Sequence, residues 1–278
     1  MLENEELDAV AVAVPPGIQY EIARVAIAKG LHVFAEKPLA NNREQAKELV
    51  TLAQKNNCIT AVDFIFPEIE EWQKVKQILD DQKYGALKHI SVRWNFLSYD
   101  IKNKISSWKT DVKEGGGVLS FFFSHTLYYL EYFAGEVSTV ASLFSYSEES
   151  KNGGEVGVDV LFKFKSGVSA AAHVYANDKG SNRHQLLFIC EKATIVLANE
   201  NSVTENFTIH ICKGKTRKKL VVKKKNIPHI FEDERVRVVR KIAARFVSGC
   251  IKGIPVRPSF SDGRSVQCLI EEIRARKI

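Results

Sequence analysis

The chain has 278 residues, 45% hydrophobic and 26% charged, an ordinary globular composition long enough for two hydrophobic cores. No run approaches the roughly 18 apolar residues that a membrane span needs, and Met1 to Asp8 is acidic and polar, unlike a secretory leader. Net charge is +7, but eight of the 40 basic residues fall between Lys213 and Lys225, and without those eight the chain is within one charge of neutral. Cys58, Cys190, Cys212, Cys250 and Cys268 are scattered, odd in number and never spaced C-x-x-C, which argues against a disulfide framework and a zinc site and for reduced thiols in the cytoplasm.

From the amino terminus, Asp8 to Val14 is a short, almost wholly apolar run, the pattern of a strand buried on both faces. Pro15-Pro16-Gly17 ends it, and Gln19 to Lys29 reads as a helix closed by Gly30. Leu31 to Ala35 predicts the next strand, Asn42 to Asn56 the next helix, and Cys58 to Phe64 a third strand. Strands alternating with helices of this length mean parallel βαβ units. Glu36-Lys37-Pro38 therefore falls at the carboxyl end of a strand, where open α/β sheets bind ligands. A lysine held there can exchange a proton with a reacting hydroxyl, whereas a lysine on a solvated loop does not; spacing alone leaves both readings open.

Pro67 to Asp81 predicts a further helix, after which the pattern changes. Alternating segments at Leu87–Phe96, Val137–Ser147, Val156–Lys165, Val168–Tyr175, Gln185–Cys190, Ala193–Ala198 and Phe207–Cys212 predict one large, mostly antiparallel sheet. A helix from Val118 to Phe133 interrupts it, and helices near Asp233–Ser248 and Gly263–Arg274 follow. The expected organisation is an α/β domain over 1–66 and an α+β domain over 67–278, the latter a large open sheet with covering helices. Gly115-Gly116-Gly117, before the inserted helix, allows close backbone approach. No G-x-G-x-x-G occurs, and the only Gly-Lys pair, Gly214-Lys215, has Ile209 where a P-loop needs its first glycine. His125 lies on an aromatic helical face, where a histidine is more often a core residue, so it needs a companion. The basic segment Lys213–Lys225 could bind phosphates or nucleic acid, but it lacks interleaved aromatics. Its Leu220-Val221-Val222 centre favours a solvated hairpin or edge strand guarded by lysines.

Four segments in order carry a resemblance: Val10 to Pro16, Ala28 to Ala40 with its Glu36-Lys37-Pro38, Gly115 to Leu119 with His125, and Pro258 to Gly263. Together they resemble the glucose-fructose oxidoreductase and inositol dehydrogenase family (Gfo/Idh/MocA) along essentially the whole chain. The resemblance implies a Rossmann domain binding NAD or NADP, followed by a substrate and oligomerisation domain. The implied reaction is hydride transfer between the nicotinamide and a carbon bearing a sugar or cyclitol hydroxyl. It further implies that Lys37 hydrogen-bonds that hydroxyl, that His125 takes its proton, and that Trp108-Lys109 stands beside the nicotinamide, with lysine where arginine is usual. Pro15, Pro16 and Glu36 fall at strand ends that line the cofactor, and the active form is expected to be a homo-oligomer.

Three departures from the family pattern shape the expectation. Phe121 stands where the family commonly has an acid, one helical turn before the histidine; Asp63 is a candidate substitute charge. Tyr20 stands where a histidine is frequent. The glycine-bearing first half of a Rossmann domain, on the order of 60 residues, precedes the first strand in family members, and 1–66 corresponds to the second half only. The strand Asp8 to Val14 is then expected at a sheet edge, open to another chain that supplies the absent half. Three functions follow: an NAD(P)-dependent oxidoreductase acting on a sugar, cyclitol or nucleotide sugar and incomplete as given; a non-catalytic relative used for ligand binding or assembly; and, on charge alone, a binder of nucleic acid or another acidic polymer.

Overall fold

The computed structural model describes residues 2, 4–150, 152–223 and 233–277. They pack as two compact units, the first formed by Met1–Ile65 with Val239–Glu272, the second by Phe66–Val238 with Ile273–Ile278. The first unit opens with β1 (Ala9–Val12), α1 (Pro16–Ala28), β2 (His32–Ala35), α2 (Arg43–Lys55) and β3 (Thr60–Val62). The three strands form a parallel sheet in the order β1-β2-β3. Pro16 opens α1, where its fixed φ suits a helix and its missing N–H is not needed. Asn42 caps α2 by accepting from the Gln45 amide at 2.8 Å. The Tyr20 hydroxyl joins the two helices by donating to Glu48 at 2.6 Å, a structural contact at a position where the resemblance suggested a histidine.

The second unit runs through α3 (Glu70–Asp80), β4 (Leu87–Asn95), the short α4 (Tyr99–Lys102), α5 (Ser124–Ala134), β5 (Val137–Ser145), β6 (Gly157–Phe164), β7 (Ser169–Tyr175), β8 (Arg183–Cys190), β9 (Thr194–Glu200), β10 (Thr208–Lys213) and β11 (Thr216–Leu220). Its eight strands form one sheet in the order β11-β10-β9-β8-β4-β7-β6-β5, antiparallel throughout except for β4 beside β7. One sheet face is buried, with Ile90, Val92, Ala172, Phe188 and Leu197 in its core. The other exposes Leu143, Leu161 and Ile189. Two carboxy-terminal helices, α6 (Val236–Lys252) and α7 (Phe260–Ala275), complete the chain. The sequence pattern placed both in the second domain, whereas Val239–Glu272 packs with the first unit. Phe246 meets Phe34 of β2 with ring centres 5.8 Å apart, and the Val62 amide donates to the Pro258 carbonyl at 3.1 Å. Amphipathicity says that a helix buries one face but not which sheet receives it.

Sheet edges attract other strands unless they are covered or charged. Pro258 covers β3, and the Ser142 amide of β5 donates to the Arg276 carbonyl. β11 carries Arg217, Lys218 and Lys219, all exposed, so the segment forms the lysine-guarded hairpin that its pattern favoured. Its last residues, Lys224 and Lys225, lie outside the described residues. β1 alone has neither device: its free side runs along Ala9, Ala11 and Ala13, with no strand beside it among the described residues. Placing a charge there should blunt self-association. Ala11→Lys is expected to lower light scattering of concentrated samples at a stability cost below about 0.5 kcal/mol, since Ala11 is exposed; unchanged scattering would acquit this edge.

Candidate functional site

In the first unit the chain turns sharply after β2. The Glu36 amide donates to the Val12 carbonyl at 2.9 Å, and the Lys37 amide donates to the Glu36 carboxylate at 3.1 Å. The Lys37-Pro38 peptide is cis. Gln19, fully buried in α1, fixes the shape of this turn: its side-chain N–H group donates to the carbonyls of Glu36 at 2.7 Å, Pro38 at 3.0 Å and Leu39 at 3.2 Å. The Gln19 backbone amide in turn donates to the Pro15 carbonyl at 2.9 Å. One residue therefore ties Pro15, Glu36 and Pro38 together at the carboxyl ends of β1 and β2, with Pro16 starting the adjoining helix and Lys37 half-buried. Asp63 reaches the same edge of the sheet, where its amide donates to the Ala35 carbonyl at 3.0 Å.

In the second unit the glycines organise a different cluster. The Gly116 amide donates to the Asp111 carbonyl at 2.8 Å, the Gly117 amide to the Lys109 carbonyl at 2.8 Å, and the Gly154 amide to the Thr110 carbonyl at 2.9 Å. A Cβ on Gly116 would lie 2.1 Å from the Trp108 carbonyl oxygen, so only glycine permits this approach. The Trp108-Lys109 loop is thereby laid against the start of the helix that carries His125. Trp108 meets Phe121 edge-on at 5.6 Å, and the Lys109 ammonium sits 4.8 Å from the centre of the same ring. Phe121 continues into Phe122, Phe96 and Trp94, an aromatic wall with ring centres 4.6 to 6.0 Å apart. His125, 8% exposed, packs edge-on against Phe66 at 5.3 Å.

The helix predicted to run as α-helix from Val118 instead opens with a π turn over Leu119–Phe123. The cause is lateral. Gly117, at φ +104°, lies against the carboxyl group of Glu155, and the Leu119 amide donates to that carboxyl at 2.9 Å. From α7, Arg274 donates to the Gly116 carbonyl at 3.2 Å and the Ser120 hydroxyl at 2.9 Å. Single π turns recur at functional sites, where they re-aim side chains. Burial pushes the Glu155 carboxyl above the usual carboxylate range. Gln19, Glu155 and Arg274 were not singled out by the sequence pattern; an acid directly after Gly153-Gly154 was the only available signal for any of them.

The expected site residues thus form two groups: Pro15, Pro16, Glu36 and Lys37 in the first unit, and Trp108, Lys109 and His125 in the second. Residues 1–64 match a family model described as an oxidoreductase family with an NAD-binding Rossmann fold. Residues 72–196 match that of the GFO/IDH/MocA C-terminal domain. An uncharacterized oxidoreductase of Synechocystis sp. is 28% identical over 98% of this chain and 77% of its own length. Levoglucosan dehydrogenase of Pseudarthrobacter phenanthrenivorans is 25% identical over 64% of this chain and 46% of that enzyme. Among solved structures, levoglucosan dehydrogenase in complex with NADH and L-sorbose superposes with a TM-score of 0.86 at 20% identity, covering 99% of this chain and 79% of the other. A 3-ketoreductase from Actinomadura kijaniata in complex with NADP and TDP-benzene gives 0.80 at 20% identity, covering 99% and 80%. No helix among the described residues is long and apolar enough to cross a membrane.

Proposed function

Because this chain belongs to the Gfo/Idh/MocA family of oxidoreductases, we propose that it serves hydride transfer between NAD or NADP and the hydroxyl-bearing carbon of a sugar, cyclitol or nucleotide sugar. The observation that carries this reading is the Glu36-Lys37-Pro38 turn, whose shape is locked by three hydrogen bonds from one buried amide, Gln19. The backbone at Lys37 is thereby fixed at the carboxyl end of β2. In this reading the Lys37 ammonium stabilises developing negative charge on the substrate oxygen, and His125 accepts the hydroxyl proton. In this reading Pro15, Pro16, Glu36, Trp108 and Lys109 are the cofactor-binding residues. The bound nicotinamide supplies the acceptor or donor of the hydride.

In this reading the residues present serve the nicotinamide end of the cofactor. The 278 residues contain no G-x-G-x-x-G, the fingerprint whose backbone donors and helix terminus hold a pyrophosphate. We assign the free edge of β1 to the strand of a segment that carries them. The exposed face of the eight-stranded sheet, which bears Leu143, Leu161 and Ile189, is assigned to a second copy of the chain. Five free thiols suit a reducing cytoplasm. A non-catalytic relative is the second reading. It is favoured by Phe121, which fills the position of the usual acid and holds the Lys109 ammonium against its ring.

Titrating NADH and NADPH by fluorescence separates the two readings. The chain as given should show no saturation below about 1 mM, and fusing an upstream segment with the glycine fingerprint should restore tight binding and turnover. In that active form, Lys37→Met and His125→Asn are each expected to lower kcat/KM about a hundredfold. Wild-type turnover in both variants would remove their roles, and a fused form that binds cofactor but turns over no polyol would favour the non-catalytic reading.

A further inference from the structure

The charge of the protein is concentrated at one end of the eight-stranded sheet. Between Phe207 and Lys223 stand six lysines and arginines and no acid, and without the basic run to which they belong the chain is close to neutral. Three of them, Arg217, Lys218 and Lys219, lie along β11, the last strand of the sheet, and all three are exposed. Strand alternation turns Arg217 and Lys219 to one face and Lys218 to the other, so both faces of this edge are positive. None of the three makes an ion pair among the described residues. His210, directly across from Lys219 on β10, feels the result: burial, then the charges of Arg217 and Lys219, holds its imidazole below the usual histidine pKa.

Cations on an edge strand keep other strands away, but only those that bring no opposite charge. Against a second copy, β11 would set three cations beside three cations, whereas an acidic strand would meet an opposite charge at every step. The backbone supplies the rest of the fit. β10 occupies one side of β11 and no strand lies on the other among the described residues, so alternate N–H and C=O groups point outward. Those groups match another peptide, which brings both donors and acceptors, better than a phosphodiester, which brings acceptors alone. β11 also carries no aromatic ring on which a base would stack. Arg217 and Lys219 stand about 7 Å apart along the strand, the same repeat as alternate side chains of an extended peptide laid beside them.

We infer that β11 is a docking edge for an extended acidic segment of another protein, which joins the sheet as a strand beside Thr216–Leu220 with its carboxylates against Arg217, Lys218 and Lys219. Backbone hydrogen bonds hold the segment, and charge on both faces selects it.

The test uses the whole chain and three fluorescein-labelled probes: decaglutamate, decaglutamate methylated at every backbone nitrogen, which keeps the charge but cannot pair along an edge, and a thymidine decanucleotide. Fluorescence anisotropy should show saturable binding of decaglutamate, at least fivefold tighter than either other probe and weakened about threefold or more between 50 and 200 mM salt. In the wild type, saturation should raise the pKa of His210, followed through its ring protons, because carboxylates then face Arg217 and Lys219. The triple variant Arg217→Glu, Lys218→Glu, Lys219→Glu should lose the binding, an unchanged urea midpoint showing that its fold is intact; if that variant fails to fold, the His210 shift in the wild type decides. No saturation below about 1 mM, equal binding of the methylated peptide, or binding that leaves His210 unmoved overturns the docking edge. Tighter binding of the decanucleotide overturns it in favour of nucleic acid. Self-association of the chain that the triple variant loses overturns it in favour of a second copy.

Discussion

Gly116→Ala should destabilise the second unit by about 3–5 kcal/mol, well beyond the ordinary cost of a surface substitution. The new methyl carbon would fall 2.1 Å from the Trp108 carbonyl oxygen, 2.8 Å from the Lys109 carbonyl carbon and 2.9 Å from the Asp111 carbonyl oxygen. All three are backbone atoms. None can swing aside as a side chain would, and the Gly116 and Gly117 amides bind the same stretch of chain through the Asp111 and Lys109 carbonyls. The control is Gly167→Ala, where φ is +84° but nothing lies within 4 Å of the added carbon. That variant should lose only the roughly 1–2 kcal/mol of a left-handed non-glycine residue. Urea unfolding followed by tryptophan fluorescence reads the difference cleanly, because Trp72, Trp94 and Trp108 all belong to the second unit. If Gly116→Ala costs no more than Gly167→Ala, the loop is not pressed against the glycines as described. The same measurement bears on the site, since pushing the loop away would carry Trp108 and Lys109 off Phe121.

The second unit should also lose stability steeply in acid, through His184. Its ring is fully enclosed: stacked on Trp94 at 4.6 Å and 10°, edge-on to Phe66 at 5.0 Å, with the Tyr129 hydroxyl 3.1 Å from Nε2 and the Thr126 hydroxyl 2.9 Å beyond that. Removal from water penalises the charged ring and pushes its pKa down to about 3. The direction follows from linkage. Between pH 6.5 and 3 the unfolded chain binds a proton at this histidine and the folded chain does not, so stability is full above 6.5 and falls as the pH drops. At about 1.4 kcal/mol for each pH unit, close to 3 kcal/mol should be gone by pH 4.5. His184→Gln keeps an acceptor for Tyr129 and cannot titrate, so urea midpoints at pH 7.5, 6.0 and 4.5 should flatten in that variant. A variant as acid-sensitive as the wild type would place the effect on other groups.

Both predictions rest on contacts that a linear pattern does not reveal. Strand alternation and helix punctuation were enough to place ten of the eleven strands and the main helices to within a few residues, because those signals are local; the last strand, centred on Leu220-Val221-Val222 by its pattern, runs over Thr216–Leu220 instead. Lys37 was legible for the same reason: a strand, a turn and a proline put it at a sheet end. Gln19, which shapes that turn, was not, since its buried amide acts on carbonyls 17 to 20 residues away. The π turn was equally hidden. Leu119-Ser120-Phe121-Phe122-Phe123 has nothing against an α-helix, and what alters its winding is Glu155, 36 residues downstream of Leu119. The return of Val239–Glu272 to the first unit is the largest feature that the pattern misassigned, and it depends on which apolar surface is left open after β3 forms.

That return has a consequence for how the protein is made. Synthesis runs at about 5–20 residues per second, so the first unit, begun before Phe66, waits roughly ten to forty seconds for the helices that close it. During that wait β3 lacks the Pro258 carbonyl that its Val62 amide pairs with in the finished fold. Shortening the gene from its far end would leave a part made before the second unit, rather than the last-made part, unable to finish folding.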